Sequence, residues 1–282
     1  MSTFSERMFD KPGPRAKRMI LIWSVFLTSC GVAGLAIATW LFYQQGGFAA
    51  SKWLVFVNPR AIAFIGAGVA KTLAASLTAG LFSLIGGLAI CIVRVQQVPL
   101  LAKLAAGYTE LARSIPSLLI LYFTILILPH YGLRMPVFWQ LVVTLSVTNS
   151  ALIAEILRAS VNSIPRGQLE AALVLGQTRI EALFNIVLPQ ALRAALPSLV
   201  AQVVFLLKSS AVGYVISYEE LLYSSRIVGE FADNMLQSIF VVTVIYLAIN
   251  SVISQIAFSL GRRETLGSLA GANVVKSNNG PA

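Results

Sequence analysis

The sequence predicts an all-α membrane protein, a polytopic helical bundle of about six transmembrane helices with both termini in the cytoplasm. Three observations carry this. Of 282 residues, 57% are hydrophobic and only 11% are charged, whereas soluble domains carry about 25% charged residues. Mean hydropathy is +0.80. The apolar residues gather into six long runs with short polar breaks, and in lipid such runs satisfy their backbone groups as helices. The same figures exclude a water-soluble enzyme, a disordered scaffold and a disulfide-stapled secreted domain.

The runs occupy about 19–43, 68–93, 115–129, 137–157, 197–217 and 237–260. The first covers 25 residues, enough to cross a hydrocarbon core of about 30 Å. It passes through Leu27-Thr28-Ser29-Cys30, which looks like a lipoprotein cleavage site, but stays apolar as far as Tyr43, so an uncleaved span is expected. The second carries Ala79, Ser83 and Gly87 at four-residue spacing. Like Gly34 and Ala38 in the first, these small residues let neighbouring helices approach closely. The third is the shortest, 15 residues bracketed by Pro116 and by Pro129 and Pro136. It is expected to borrow length from 108–113 or to cross a narrowed part of the bundle. The fourth contains Asn149 and the fifth Lys208. The organisation read from this is a basic tail (1–18), a first span with its outer loop (19–67), a main transmembrane domain (68–260) with a long loop at 158–196, and a tail (261–282) whose Gly, Ser and Asn content predicts disorder.

Lys and Arg orient the chain. With the N-terminus inside, the cytoplasm receives Arg7, Lys11, Arg15, Lys17 and Arg18; then Arg94, Lys103 and Arg113; then Arg158, Arg166, Arg179 and Arg193; then Arg262, Arg263 and Lys276. Only Lys52, Arg60, Arg134 and Arg226 fall outside, and Lys71 and Lys208 lie in or at the membrane. The net charge of +10 is thus spread between apolar runs as a topology signal, and nucleic acid is not expected as a partner. Cys30 and Cys91 sit in apolar stretches and read as packing side chains. His130, the only histidine, reads as an interfacial loop residue.

The loop at 158–196 is the most specific feature. Pro165 and Gly167 break the chain, 168–175 suits a short helix, Gly176 permits a sharp turn, and 178–186 suits a second helix ended by Pro189. Leu173, Leu175 and Leu183 on such a helix pair would want a partner surface. Within it, Glu170-Ala171-Ala172, three residues, Gly176, nine residues, Ile186, one residue and Leu188-Pro189 resemble the cytoplasmic loop signature of ABC importer permeases. The resemblance covers about 68–260. Tyr108-Thr109-Glu110-Leu111-Ala112-Arg113-Ser114-Ile115-Pro116, Ala154-Glu155-Ile156-Leu157-Arg158, Leu188-Pro189-Gln190-Ala191-Leu192-Arg193 and Leu206-Leu207-Lys208-Ser209-Ser210 resemble signatures of polar amino acid permeases, possible members being of the glutamate/aspartate type.

That resemblance implies a five-helix permease core plus an extra N-terminal span. It implies that Glu170, Ala171, Ala172, Gly176, Ile186, Leu188 and Pro189 couple the chain to an ATPase. The implied partners are two ATP-binding cassette ATPase subunits, a second permease subunit (identical or homologous), an extracytoplasmic solute-binding protein, an amino acid substrate and membrane lipid. This chain is expected to hold no cofactor and to catalyse nothing, ATP and Mg being used by the ATPase. Gly66-Ala67-Gly68-Val69-Ala70-Lys71-Thr72 superficially resembles a phosphate loop, but Ala70 and Ile65 stand where that motif needs glycine. Lys71 there reads as snorkelling.

For the substrate route, Lys208 lies 11 residues into the fifth run, about 16 Å deep, where an unpaired charge is costly. Asn149 lies at similar depth. Two readings of Lys208 stand open: it meets a substrate carboxylate in the pathway, with Asn149, Ser209 and Ser210 beside it, or it bonds backbone carbonyls or a neighbouring subunit's acid. Many polar amino acid permeases carry an acid after this lysine, and Ser209 stands there instead. The resulting excess of positive charge suits glutamate or aspartate. The alternative function, a stand-alone secondary transporter or channel, would favour intramembrane acids and internal symmetry and would leave the helix pair without a task. An intramembrane enzyme would need a metal-binding His pair, a Ser/His pair or paired membrane acids, and none is found in the sequence.

Overall fold

A computed structural model describes residues 13–96 and 98–255. The expected tail at 261–282 and the first twelve residues lie outside them. The chain divides into two compact units, Met1–Val57 and Asn58–Ala282.

In the first unit, α1 (Pro14–Gln44) opens on proline at its first position and runs 31 residues with none buried, about 46 Å of helix. Gly46 takes a left-handed φ of 64° to turn the chain into α2 (Ala50–Trp53) and a 3-10 turn (Leu54–Val57). The turn is held by the Trp53 indole, which donates to Gly47 O at 3.0 Å, and by Phe42 edge-on to Phe48 at 4.9 Å.

The second unit begins with α3 (Pro59–Val95), 37 residues long and capped by Asn58, whose side chain accepts from Arg60 N. The helix thus starts at Pro59 rather than at 68. Hydropathy alone missed a start that the Asn-Pro pair, a cap followed by a first-turn proline, specifies locally. The third run is also corrected. Two helices, α4 (Pro99–Ser114) and α5 (Ser117–Tyr122, continuing through a π turn and a 3-10 turn to Tyr131), meet at a bend of 100°. The residues 108–113 therefore belong to the other limb and do not lengthen the span in line. Pro116 is the cause: it forces Ile115 into an extended conformation, φ −86° and ψ 126°.

Next come α6 (Val137–Ser163), half of whose most apolar stretch is buried, and the short α7 (Arg166–Val174). Then α8 (Arg179–Ala182), a π turn (Leu183–Val187), α9 (Leu188–Ser209) and a 3-10 segment (Ser210–Ile216) form one span of 38 residues. Pro189 was expected to end a helix and instead sits inside this span. The proline ring would clash with the carbonyl of Asn185 four residues back, and Asn185 lies within the wider π turn that relieves the conflict. The break between the fifth and sixth runs contains α10 (Leu221–Phe231), and α11 (Met235–Gln255) follows. Among the described residues, five helices are long and apolar enough to cross a membrane, or six with the bent pair taken as one span. No strand occurs among the described residues.

The core lies between α3 and α6, with α9 against both. Ala79, Ser83 and Gly87 face it, and a Cβ on Gly87 would come within 2.6 Å of the Ile153 side chain and 3.0 Å of Ser150 O. Two apolar clusters result. One gathers Ala75, Ala79, Leu141, Leu145, Leu206 and Tyr218. The other gathers Cys91, Ile153, Leu157, Leu183, Val187 and Ala191.

Candidate functional site: a hairpin with an exposed apolar tip and a polar core

The hairpin α7–α8 is built from its residues as follows. Gly176 adopts φ 83°, a left-handed conformation suited to glycine. Its N–H reaches Leu173 O, and Gln177 N–H reaches Ala172 O, so α7 closes with its last carbonyls satisfied. Across the turn, Thr178 and Glu181 form a capping box, each side chain accepting from the other's backbone N–H. The inner face of the hairpin is sealed: Ala172, Ala182, Leu183, Val187 and Leu188 are buried. The outer face is apolar and open, with Val174 87% and Leu175 81% exposed and Leu173 and Ile180 beside them. Leu183, expected on that outer face, points inward into the cluster with Cys91 and Leu157. Glu170, Ala171 and Pro189 are exposed and Ile186 is half-buried.

Of the four residues expected along a substrate route, Asn149 and Ser210 are buried, Ser209 is half-buried and Lys208 is exposed. Asn149 is 1% exposed; its Nδ2 donates to Leu145 O at 2.7 Å, and its Oδ1 accepts from Gln202 Nε2 at 2.5 Å. Ser210 is buried and donates to Leu207 O at 2.7 Å, and Ser209 is half-buried. Lys208 is exposed. The partner of Asn149 is thus Gln202, on the same helix as Lys208 but six residues earlier. Sequence reasoning passed over Gln202, although it is the one amide within the fifth apolar run. The Tyr108 hydroxyl joins this polar zone from α4, donating to Val147 O at 3.0 Å and lying 2.8 Å from Ser150 Oγ.

At the outer end, Lys71 is not a lone snorkelling cation, because it pairs with Glu219. The Tyr218 hydroxyl donates to Lys71 O at 3.0 Å and Leu221 N–H to Thr72 Oγ1 at 3.0 Å. Glu220 is fully buried and caps α10 through Leu222 N–H and Tyr223 N–H, each at 2.8 Å, while the Tyr246 hydroxyl donates to it at 2.7 Å. Burial pushes its carboxyl above the ordinary glutamate range, against the pull of those three donors. Glu230 accepts from Arg226 Nε at 2.5 Å. The acidic outer stretch therefore spends three of its four carboxylates inside the chain. At the opposite end, Glu155 binds Arg158 at 2.8 and 3.0 Å, as its spacing suggested, and also Arg94 of α3. Gly66–Thr72 is uninterrupted helix.

Comparison with known proteins adds four findings. Residues 83–265 match the family described as binding-protein-dependent transport system inner membrane component. The chain is 32% identical over 223 residues to the glutamate transport system permease protein GluD of Corynebacterium glutamicum, covering 78% of this chain and 82% of that one. It is 34% identical over 207 residues to the probable glutamine ABC transporter permease protein GlnP of Bacillus subtilis, covering 72% and 95%. Among solved structures, an amino acid ABC transporter crystallised with histidines superimposes with a TM-score of 0.68 and 27% identity, over 72% of this chain and 95% of that one.

Proposed function

The chain belongs to the family of binding-protein-dependent transport system inner membrane components, and from that premise we propose that it imports an acidic amino acid, glutamate or aspartate, by alternating access. It is a multi-pass inner-membrane permease subunit of an amino acid ABC importer, and ATP is hydrolysed by a separate chain. The observation that carries the coupling part of the proposal is the two-faced hairpin. Its apolar tip at Val174 and Leu175 is exposed, while its other face is packed into the same cluster as α3 and α6. A large exposed apolar patch marks an interaction surface. Glu170 to Pro189 receive the ATPase, and closure of two such subunits on ATP and Mg drags the hairpin and rocks the membrane helices. Two permease subunits enclose the pathway, and an external solute-binding protein loads it.

The substrate class rests on charge. Lys208 is the one cation within the fifth apolar run, is exposed, and is followed by Ser209 rather than an acid, and relatives include both glutamate and glutamine permeases. A solute carrying a net negative charge gains from an uncompensated cation in a low-dielectric pathway. The test is ATP-dependent uptake by the complete complex in liposomes, with glutamate and arginine in competition, compared with Lys208→Met. Glutamate uptake that falls in the variant supports the assignment. Arginine uptake without glutamate uptake overturns it, and accumulation by vesicles holding this polypeptide alone overturns the importer reading itself.

A further inference from the structure

The segment Ala154–Arg158 stood out in the sequence, yet neither the hairpin nor the substrate route uses its charges. In the fold, the Glu155 carboxylate lies between two guanidinium groups. One oxygen is taken by Arg94 in the last turn of α3, 61 residues away. The other is gripped by Arg158 through Nε at 3.0 Å and Nη2 at 2.8 Å. The three side chains are 17%, 22% and 36% exposed for Arg94, Glu155 and Arg158. Cys91, one turn before Arg94, and Leu157, next to Arg158, belong to the apolar cluster that also contains Leu183 and Val187 at the root of the hairpin. The triad is therefore the polar end of the cluster into which the hairpin is anchored.

We propose that Arg94, Glu155 and Arg158 are positioning residues that form the joint passing hairpin movement to α3 and α6, which deepens the coupling reading above and rests on it. Holding the two helices together does not require them. Small residues already bring α3 and α6 into backbone contact at Gly87, and partly desolvated ion pairs are often no more stabilising than apolar side chains. A shared carboxylate adds direction. Arg158 binds one oxygen with two donors, which fixes rotation as well as distance, and Arg94 ties the other oxygen to the neighbouring helix. With both oxygens held, a push on Leu183 and Val187 displaces α3 and α6 as one body. Without Glu155, two arginines face each other, and the same push lets the helices slip.

The experiment uses the full complex with its ATPase and binding protein in liposomes and reads amino acid transported per ATP hydrolysed. Glu155→Gln is expected to keep ATP hydrolysis and ATPase co-purification while transport per ATP falls about tenfold, within the range of coupling energies for such networks. Arg158→Lys, which keeps the charge but lacks the planar fork, is expected to fall less and carries the test if Glu155→Gln does not assemble. The double exchange R94E/E155R restores one acid–cation pair across α3 and α6 and is expected to recover at least half of the lost ratio. A ratio unchanged in the single variants, uptake and hydrolysis falling in proportion, or no recovery in the double exchange overturns the proposal. Failure of the wild-type complex to couple uptake to ATP would instead overturn the importer reading.

Discussion

Glu220 shows how one side chain can organise the outer end of the chain. It caps α10, accepts from Tyr246 of α11 and adjoins Leu221, whose N–H donates to Thr72 of α3. Its carboxyl titrates above the ordinary glutamate range because burial penalises the charged form. The native chain therefore holds this proton longer than the unfolded chain as pH rises. The stability contributed by the neutral form is complete below the ordinary glutamate value and is lost as pH climbs to the raised native value. Glu220→Gln removes that slope. The expected outcome is a thermal midpoint, relative to wild type, that rises from acid toward neutral pH in detergent-solubilised complex; parallel curves would contradict it. In the sequence, Glu220 lies in the break between the fifth and sixth apolar runs. Nothing local reveals its burial, because its side-chain partner Tyr246 lies in a distant segment.

Between elements, polar pairs decide register where apolar packing is permissive. The Asn149–Gln202 bond joins α6 to α9 inside the core. Interhelical hydrogen bonds in membranes are worth about 0.6 kcal/mol on average, but a buried partner left unpaired costs about 1–3 kcal/mol. Asn149→Leu and Gln202→Leu are each expected to lower stability by an amount in that second range. The double variant is expected to cost less than the sum, since neither amide is then stranded. Thermal unfolding of the three variants gives the cycle, and strictly additive losses would remove the pair from the account. The depth of Asn149 was legible from its place in an apolar run. Its partner was not, because hydropathy counts residues along one helix and a rotation about that helix axis chooses the neighbour. The same limit explains Lys71, read as solitary and found beside Glu219, 148 residues away.

At the scale of the whole molecule, the hairpin joins a water-exposed apolar tip to a membrane core. Replacing both tip residues, Val174→Asp and Leu175→Asp, leaves the buried face of Ala172, Leu183 and Val187 untouched. The spans are expected to stay folded, with unchanged helix content, while co-purification with the ATPase subunit falls severalfold. Retained co-purification would mean that the ATPase engages another surface. The motif of Glu170, Gly176 and Pro189 was readable because its spacing is local, and so was the left-handed turn at Gly176. The role of Pro189 was misjudged, since a proline inside a continuous span needs the π turn just before it, a detail of backbone geometry that proline content does not encode.

What the sequence alone determined is whatever adds up residue by residue along the chain: transfer into lipid, the bias of Lys and Arg to one side, glycine and proline breaks, and a spaced motif. Those terms are short-range, so the apolar spans and the hairpin turn at Gly176 follow from order of residues. The tertiary structure decided everything that depends on which helix faces which. It bent the third span by 100° at Pro116, hid Glu220, gave Asn149 to Gln202 and placed Arg94 on Glu155. Charges and amides interact over a few ångströms in space regardless of their separation in sequence, and only the packed bundle brings them within that distance.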